Sequence, residues 1–186
     1  MSTIPSLDEI EYAIMTSDDF NFMRNLVVFR VVSGTVVNHE CDCLVMTKKG
    51  YLSEIEIKRS YSDFLSDYKK SHTHRDPHIK YFYFMLHESF AEKSVNMMIE
   101  KKMLPNAVYV YDDECNIKPY INLRDLKLRL HPDYNFENEE EYSFSWKAKR
   151  LFLEEQYELA RLGSMRYKTM LERIIKLNNE KKNESE

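Results

Sequence analysis

The pattern of apolar residues near the start of the chain predicts an amphipathic helix. Leu7, Ile10 and Ile14 recur at helical spacing. Ser6 precedes the first of them and Glu9 follows Ser6 by three residues, which is the pattern of a capping box. We therefore expect the helix to begin at Leu7, with its apolar stripe against a core.

After this helix the apolar pattern changes to that of β-strands. Apolar and β-branched residues dominate three consecutive segments, which are 26–32, 35–47 and 51–58. Lys48-Lys49-Gly50 separates the second segment from the third, and its glycine favours a tight turn. These residues predict three strands, of which the last two form a hairpin.

Helical and strand-like segments then alternate along the chain. The spacing predicts a helix at 61–72, a strand at 79–86, a short helix at 91–101, and strands at 107–111 and 117–121. From 137 to 182 apolar residues recur among charges, which predicts one long helix or two helices broken near Gly163. We expect an α/β domain with a central mixed sheet at 1–131 and a helical C-terminal extension at 132–186.

Composition narrows the class of protein. With 43% hydrophobic and 31% charged residues among 186, the chain can bury one core and is expected to be globular. The net charge of −4 means that binding to nucleic acid requires a local basic patch. No segment approaches about eighteen consecutive apolar residues, and the N-terminus lacks a signal-peptide pattern. We therefore expect a cytoplasmic protein that does not enter a membrane.

The three cysteines agree with a reducing compartment. Cys41, Cys43 and Cys115 are an odd number, and the first two are interpreted as small core residues on one face of a strand. No nearby carboxylate or cysteine completes a tetrahedral set of ligands with His72 and His74. Zinc is therefore not expected.

Ionisable residues on the third predicted strand are the strongest chemical signal. Alternate side chains of a strand share a face, so Glu54, Glu56 and Lys58 project together. Pairing across the hairpin brings Asp42 beside Glu56, and two adjacent carboxylates repel unless a cation lies between them. Mg²⁺ or Mn²⁺ suits this position, with Asp42, Glu56 and the backbone carbonyl of Ile57 as ligands. Lys58 would orient the attacking water or stabilise negative charge on a phosphate.

A helical carboxylate completes the expected catalytic site. At about 100° per residue, Glu11 falls within the buried arc that Leu7 and Ile14 define, whereas Glu9 points to the far side. Glu11 is therefore the candidate fourth catalytic residue.

Together these features resemble the PD-(D/E)XK nuclease superfamily. Its restriction-endonuclease-like αβββαβ core has a helical glutamate, a strand aspartate and a strand with Glu-x-Lys, and the run from Glu40 to Lys70 looks like phage-type and bacterial DNA-repair members. The resemblance implies Mg²⁺-dependent hydrolysis of DNA phosphodiester bonds by Asp42, Glu56 and Lys58. It covers Leu7 to Ile121 and leaves out the C-terminal helix.

The resemblance also implies residues that support the catalytic groups. Ser60, Asp63 and Asp67 would do so from the helix that follows the catalytic strand. The sequence departs from the family's name because Cys41 stands where the name has proline, and spacing does not fix the helical glutamate.

A cluster of basic residues is the expected contact with DNA. This cluster follows the second helix and comprises Lys69, Lys70, His72 and Arg75. A merely solvated loop is the alternative interpretation of these residues.

Two other functions fit the same sequence. A nuclease fold without catalysis would act as a nucleic-acid-binding or assembly module. A purely structural protein would interact through its C-terminal helix, which is also where we expect any homo-oligomer to form, and would leave Asp42 and Glu56 as surface ion-pair partners.

Overall fold

The computed structural model describes residues 4–32, 34, 36–67, 76–101, 105–130 and 148–183, which form a six-stranded sheet with helices on both faces. The strands are β1 (Leu26–Val31), β2 (Cys41–Met46), β3 (Leu52–Lys58), β4 (Ile79–His87), β5 (Ala107–Tyr111) and β6 (Ile117–Asn122). The helices are α1 (Leu7–Thr16), α2 (Tyr61–Asp67), α3 (Ala91–Glu100), α4 (Leu123–Leu130) and α5 (Leu153–Asn183).

The strands lie in the sheet in chain order, from β1 at one edge to β6 at the other. β1, β2 and β3 pair antiparallel, β4 and β5 continue parallel to β3, and β6 pairs antiparallel with β5. Parallel neighbours need crossover connections, and α2 and α3 lie in those connections. The α/β class, the mixed sheet and the predicted αβββαβ order are confirmed.

Apolar clusters hold the sheet between its helices. On one face, Ile10 of α1 packs in a cluster with Ile55 and Ile57 of β3. On the other face, Phe64 belongs to a cluster that α2, α3 and α4 share with β4 and β5, and Leu159 of α5 packs in a cluster with β1 and β2. Because side chains alternate along a strand, the even-numbered residues of β3 face the side of α2 and α5.

The capping box and the hairpin turn form as predicted. Ser6 Oγ accepts a hydrogen bond from the N–H of Glu9, whose side chain accepts in return from the backbone N–H of Ser6. Gly50 has a φ of 77°, in the left-handed region that favours glycine, and its N–H donates to the carbonyl of Thr47. These local signals fix where α1 begins and where β2 turns into β3.

The second strand is shorter than predicted. The sequence predicts a strand over 35–47, but β2 occupies only Cys41–Met46. Side chains hold the preceding residues: the N–H of Asn38 donates to Asp76 Oδ2 over 3.0 Å, and His39 Nε2 lies 2.9 Å from Glu54 Oε2. These bonds take the place of a strand ladder at this position.

The C-terminal helix is one of the two predicted alternatives, a single unbroken helix, but it begins later than the predicted range of 137–182 does. α5 runs continuously through Gly163, so a break there is wrong. A Cβ atom at Gly163 would lie 3.3 Å from Val28 Cγ2, so this glycine permits close packing of α5 on β1. α4, which follows β6 directly, was not predicted, although its Leu126 is fully buried.

The two halves of α5 have different surroundings. Leu159 is fully buried against the sheet, and the Arg166 guanidinium donates to the carbonyl of Arg30 over 2.8 Å. Farther along the helix, Met170 and Ile174 are exposed. The predicted boundary between 131 and 132 falls outside the described residues, and an oligomer formed through α5 stays a prediction. Among the described helices, none combines the length and the apolar character that crossing a membrane requires.

Candidate active site

The charged residues of β3 are buried. All seven residues of this strand are buried, and Glu54, Glu56 and Lys58 expose 0%, 2% and 3% of their surface. β3 has a neighbouring strand on each side and apolar clusters on both faces, which explains why even its polar residues lie inside. Because burying a charge is costly unless it is paired, each of these side chains needs a partner of opposite charge or a cation.

Lys58 lies between two carboxylates. Its ammonium is 2.8 Å from Glu56 Oε2 on the same strand and 2.6 Å from Asp67 Oδ2 at the end of α2. Burial by itself lowers the pKa of Lys58, but the two carboxylates outweigh burial and raise it above its usual value. Lys58 is therefore held as a cation at a fixed position.

Asp42 lies against the backbone of β3. Its Oδ2 accepts a hydrogen bond from the N–H of Ile57 over 2.9 Å, and Ile57 lies between Glu56 and Lys58 in the chain. Burial, together with the charge of Asp42, raises the pKa of Glu56 to about 8. The structure therefore brings Asp42, Glu56 and Lys58 together at one end of β3, with two carboxylates that repel each other.

Glu11 reaches the same region from α1 but has a basic partner. Arg30 Nε and Nη2 lie 2.8 and 3.2 Å from its carboxylate oxygens, and Arg30 adopts a left-handed φ of 54°. Burial raises the pKa of Glu11, the pair with Arg30 opposes that rise, and Asp42 adds a repulsive charge. Glu11 thus lies close enough to interact with Asp42, but both of its carboxylate oxygens already accept hydrogen bonds from Arg30.

The predicted supporting residues divide into two groups. Asp67 contacts Lys58 directly. Ser60 and Asp63 lie at the start of α2, where Ser60 Oγ accepts the N–H of Asp63 over 3.1 Å and so caps the helix. The four predicted DNA contacts all lie outside the described residues; they are Lys69, Lys70, His72 and Arg75.

Tyr111 is a neighbour of the site that the sequence analysis missed. Its hydroxyl donates to the carbonyl of Lys58 over 3.0 Å, and its ring is fully buried against the α1 face. A tyrosine at the end of an apolar strand gives no sign in the sequence of which distant carbonyl it will contact. Tyr111 thus ties β5 to the end of β3.

A second polar group on β3 was also missed. Glu54 contacts the imidazole of His39, and Cys41 lies beside both. Cys41 packs in the cluster around α5 and Cys43 in the cluster around α1, so the prediction that the two cysteines share a face is wrong. The signal available in the sequence was His39-x-Cys41 at the start of a strand whose hairpin partner carries a glutamate.

The donor atoms near Asp42 suit a hard divalent cation. Asp42 and Glu56 supply carboxylate oxygens, which Mg²⁺ and Mn²⁺ prefer. Burial raises the pKa of Glu56, the charge of Asp42 raises it further, and a cation would relieve this repulsion between the two acids. Ile57 donates its N–H to Asp42, and its carbonyl as a third ligand stays a prediction.

Comparison with known proteins gives little further information. No protein-family model and no curated protein matches the sequence. Among solved structures, the chain aligns with the SPO1766 protein of unknown function from Silicibacter pomeroyi, at a TM-score of 0.43 and 13% identity, over 82% of this chain and 81% of that one. This likeness carries no argument about activity, which depends on the site itself.

Proposed function

We propose that the protein is a metal-dependent deoxyribonuclease of the PD-(D/E)XK type, which hydrolyses phosphodiester bonds. The observation that carries the proposal is the arrangement of Asp42, Glu56 and Lys58 at the end of β3. Asp42 is fixed by the N–H of Ile57, and Glu56 contacts the Lys58 ammonium at 2.8 Å. The αβββαβ order of elements supports the same assignment.

Asp42 and Glu56 would hold the metal. Mg²⁺ or Mn²⁺, when bound, supplies polarisation of the scissile phosphate and a bound water of lowered pKa. The hydrogen bond from Ile57 orients the Asp42 carboxylate, and Lys58 orients that of Glu56, so both acids are held in place before a metal would bind.

Lys58 would act through its charge. Glu56 and Asp67 keep the ammonium protonated, so it suits the stabilisation of negative charge that develops on phosphorus rather than removal of a proton from water. Glu11 would act as the fourth carboxylate. Because Arg30 already pairs with it, we assign Glu11 a smaller effect on metal binding than Asp42 or Glu56.

DNA is the proposed substrate, in cytoplasmic repair, recombination or phage DNA processing. Lys69, Lys70, His72 and Arg75 begin two residues after Asp67 in the chain, so they follow the Lys58 partner directly. Basic side chains at such a position suit contacts with the phosphates that flank a cleaved bond.

A nuclease-fold protein without activity is the second candidate. The observation that favours it is that Lys58 and its carboxylate partners already satisfy one another inside the core. Such a network can be retained for the fold after catalysis is lost. The interpretation of Asp42 and Glu56 as surface ion-pair partners does not fit the structure, because Glu56 is buried.

Cleavage assays test the proposal. Supercoiled plasmid and labelled single-stranded DNA are incubated with Mg²⁺ or Mn²⁺ and with wild type, Asp42→Asn, Glu56→Gln or Lys58→Met. Asparagine at 42 can still accept from Ile57, so its loss of activity would report on metal binding rather than folding. Asp125→Asn, an exposed change on α4, is the control that keeps activity.

The expected result is metal-dependent cleavage by wild type and the control, and none by the three site variants. Absence of cleavage with both metals on both substrates, or cleavage unchanged in the site variants, would reject the catalytic proposal in favour of the inactive module.

A further inference from the structure

A buried group of three potential metal ligands lies beside the proposed nuclease site and outside it. His39, Cys41 and Glu54 expose 4%, 4% and 0% of their surface. Each residue offers one donor atom: an imidazole nitrogen, the thiol sulfur and a carboxylate oxygen. These three atoms lie within 4.8 Å of one another. We propose that these three residues bind a structural zinc ion.

The histidine is oriented as a metal ligand requires. His39 Nδ1 lies 2.9 Å from Asn38 Oδ1, while Nε2 lies 2.9 Å from Glu54 Oε2. An Nδ1–H that donates to Asn38 leaves Nε2 directed at the Glu54 carboxylate. Metal-binding histidines are commonly held in this way by a carbonyl or carboxylate on the second ring nitrogen.

The orienting residue is itself anchored. The backbone N–H of Asn38 donates to Asp76 Oδ2 over 3.0 Å, and Asp76 also accepts from the N–H of His78 at 2.8 Å. The segment that carries His39 is therefore tied to the turn before β4, while the imidazole itself is held by its contacts with Asn38 and Glu54. This is the ordering that a preformed metal site needs.

The charges of the three ligands match a divalent ion. A neutral imidazole, a thiolate and a carboxylate carry two negative charges in total, so Zn²⁺ makes the buried assembly neutral. Binding replaces the proton on the Cys41 sulfur, and any proton on Nε2, with the metal. The set is mixed nitrogen, sulfur and oxygen, which suits zinc and does not suit Mg²⁺. A water would complete four-coordination.

The position of the group gives the ion a structural role. The described β2–β3 ladder begins at the pair Cys43 and Ile55, so His39 and Cys41 precede it. Zinc would join these residues to Glu54 in the middle of β3. It would thereby fix the start of β2 to β3, at a place where Cys41 pairs with Val31 of β1 but the described ladder with β3 has not yet begun.

Cobalt substitution tests the proposal, because Co²⁺ reports a thiolate ligand by a charge-transfer band in the near ultraviolet. Protein freed of metal by chelation is titrated with Co²⁺ and then Zn²⁺, in the presence of excess Mg²⁺. We expect the band to saturate at one Co²⁺ per chain, to disappear as Zn²⁺ displaces it, and to be insensitive to Mg²⁺. Zn²⁺ should also raise the midpoint of thermal unfolding.

The two buried cysteines of β2 provide a matched pair of variants. Cys41→Ala should lose the band, whereas Cys43→Ala should keep it, with far-ultraviolet circular dichroism as the check on folding. The double variant Cys43→Ala/Cys115→Ala, which keeps only Cys41, must also show the band and serves if Cys41→Ala does not fold. Asp42→Asn should keep the band too, which separates this site from the proposed nuclease site.

Three results would overturn the proposal. One is wild type that binds no stoichiometric Zn²⁺ or Co²⁺, which would leave His39 and Glu54 as a buried ion pair alone. The second is a band that persists in folded Cys41→Ala, and the third is its absence from the variant that keeps only Cys41.

Discussion

The ammonium of Lys58 lies 2.6 Å from the Asp67 carboxylate, and both side chains are almost completely buried. The contact joins the middle of the sheet to the end of α2. It also keeps the Lys58 ammonium away from solvent. Because the buried ammonium has lost its hydration, its charge is compensated by Glu56 and Asp67.

Removing Asp67 should therefore destabilise the fold. Asp67→Ala leaves the buried Lys58 with Glu56 as its remaining carboxylate partner among the described residues, and we expect a loss of about 3 kcal/mol in the free energy of unfolding. Urea denaturation followed by circular dichroism measures it. Asp63→Ala, on the exposed side of the same helix, should change stability by less than about 0.5 kcal/mol. Equal effects of the two changes would contradict the buried pair.

The charge of Lys58 and its contribution to folding can be separated. Lys58→Met alone removes the ammonium that pairs with the buried Asp67 and should destabilise the protein. Lys58→Met/Asp67→Leu removes both charges and should recover much of that loss, because apolar replacements of a buried pair are often tolerated. Cleavage should be absent from both variants, while divalent metal binding by Asp42 and Glu56 should persist. Cleavage by the double variant would show that Lys58 has no catalytic role.

Stability of the metal-free protein should fall as pH rises. The folded-state pKa of Glu56 is raised from 4.5 to about 8 by burial and by Asp42, so the folded protein binds a proton that the unfolded chain has released. The free energy of unfolding should accordingly decrease between pH 4.5 and about 8, by up to a few kcal/mol, and then level off.

Glu56→Gln is the comparison for this pH dependence. Glutamine cannot ionise but can still accept from Lys58, so the difference in unfolding free energy between variant and wild type should grow across this pH interval. Urea midpoints measured at half-unit steps in chelator would give the two curves. Parallel curves would mean that Glu56 is ionised in the folded protein without metal.

The first half of α5 should behave as part of the core. Leu159→Ala removes a fully buried side chain from the cluster on β1 and should cost about 2–5 kcal/mol. Met170→Ala, at an exposed position on the same helix, should change stability by less than about 0.5 kcal/mol. Thermal unfolding of both variants measures this. A Leu159→Ala protein as stable as wild type would indicate a separable extension.

The sequence predicts those features of the fold that depend on neighbouring residues, such as the start of a helix or a tight turn. The capping box of Ser6 and Glu9 places the start of α1, and Gly50 places the hairpin turn. Glu56 and Lys58 share a face because of strand geometry, which requires no knowledge of distant residues. The same reasoning could identify Asp42, since a hairpin fixes which residues face each other.

The remaining features depend on contacts between distant parts of the chain. Arg30 pairs with Glu11 and has a left-handed backbone conformation that the local sequence does not predict. Tyr111, on β5, donates to the carbonyl of Lys58 at the end of β3. β2 begins late because Asn38 and His39 bond to side chains rather than to a neighbouring strand. Periodicity carries no information on such pairings.

The charged residues of β3 also bear on the fidelity of folding. A strand that is apolar on both faces can slip by one residue at little cost, because either set of side chains suits either layer. In β3 a slip would push Glu54, Glu56 and Lys58 into the cluster around Ile10 and leave isoleucines opposite His39 and Asp67. In the misaligned sheet several charged side chains would be buried in an apolar cluster without partners of opposite charge. Competing strand pairings, and the aggregation that follows from them, are thus disfavoured by the residues that we assign to chemistry.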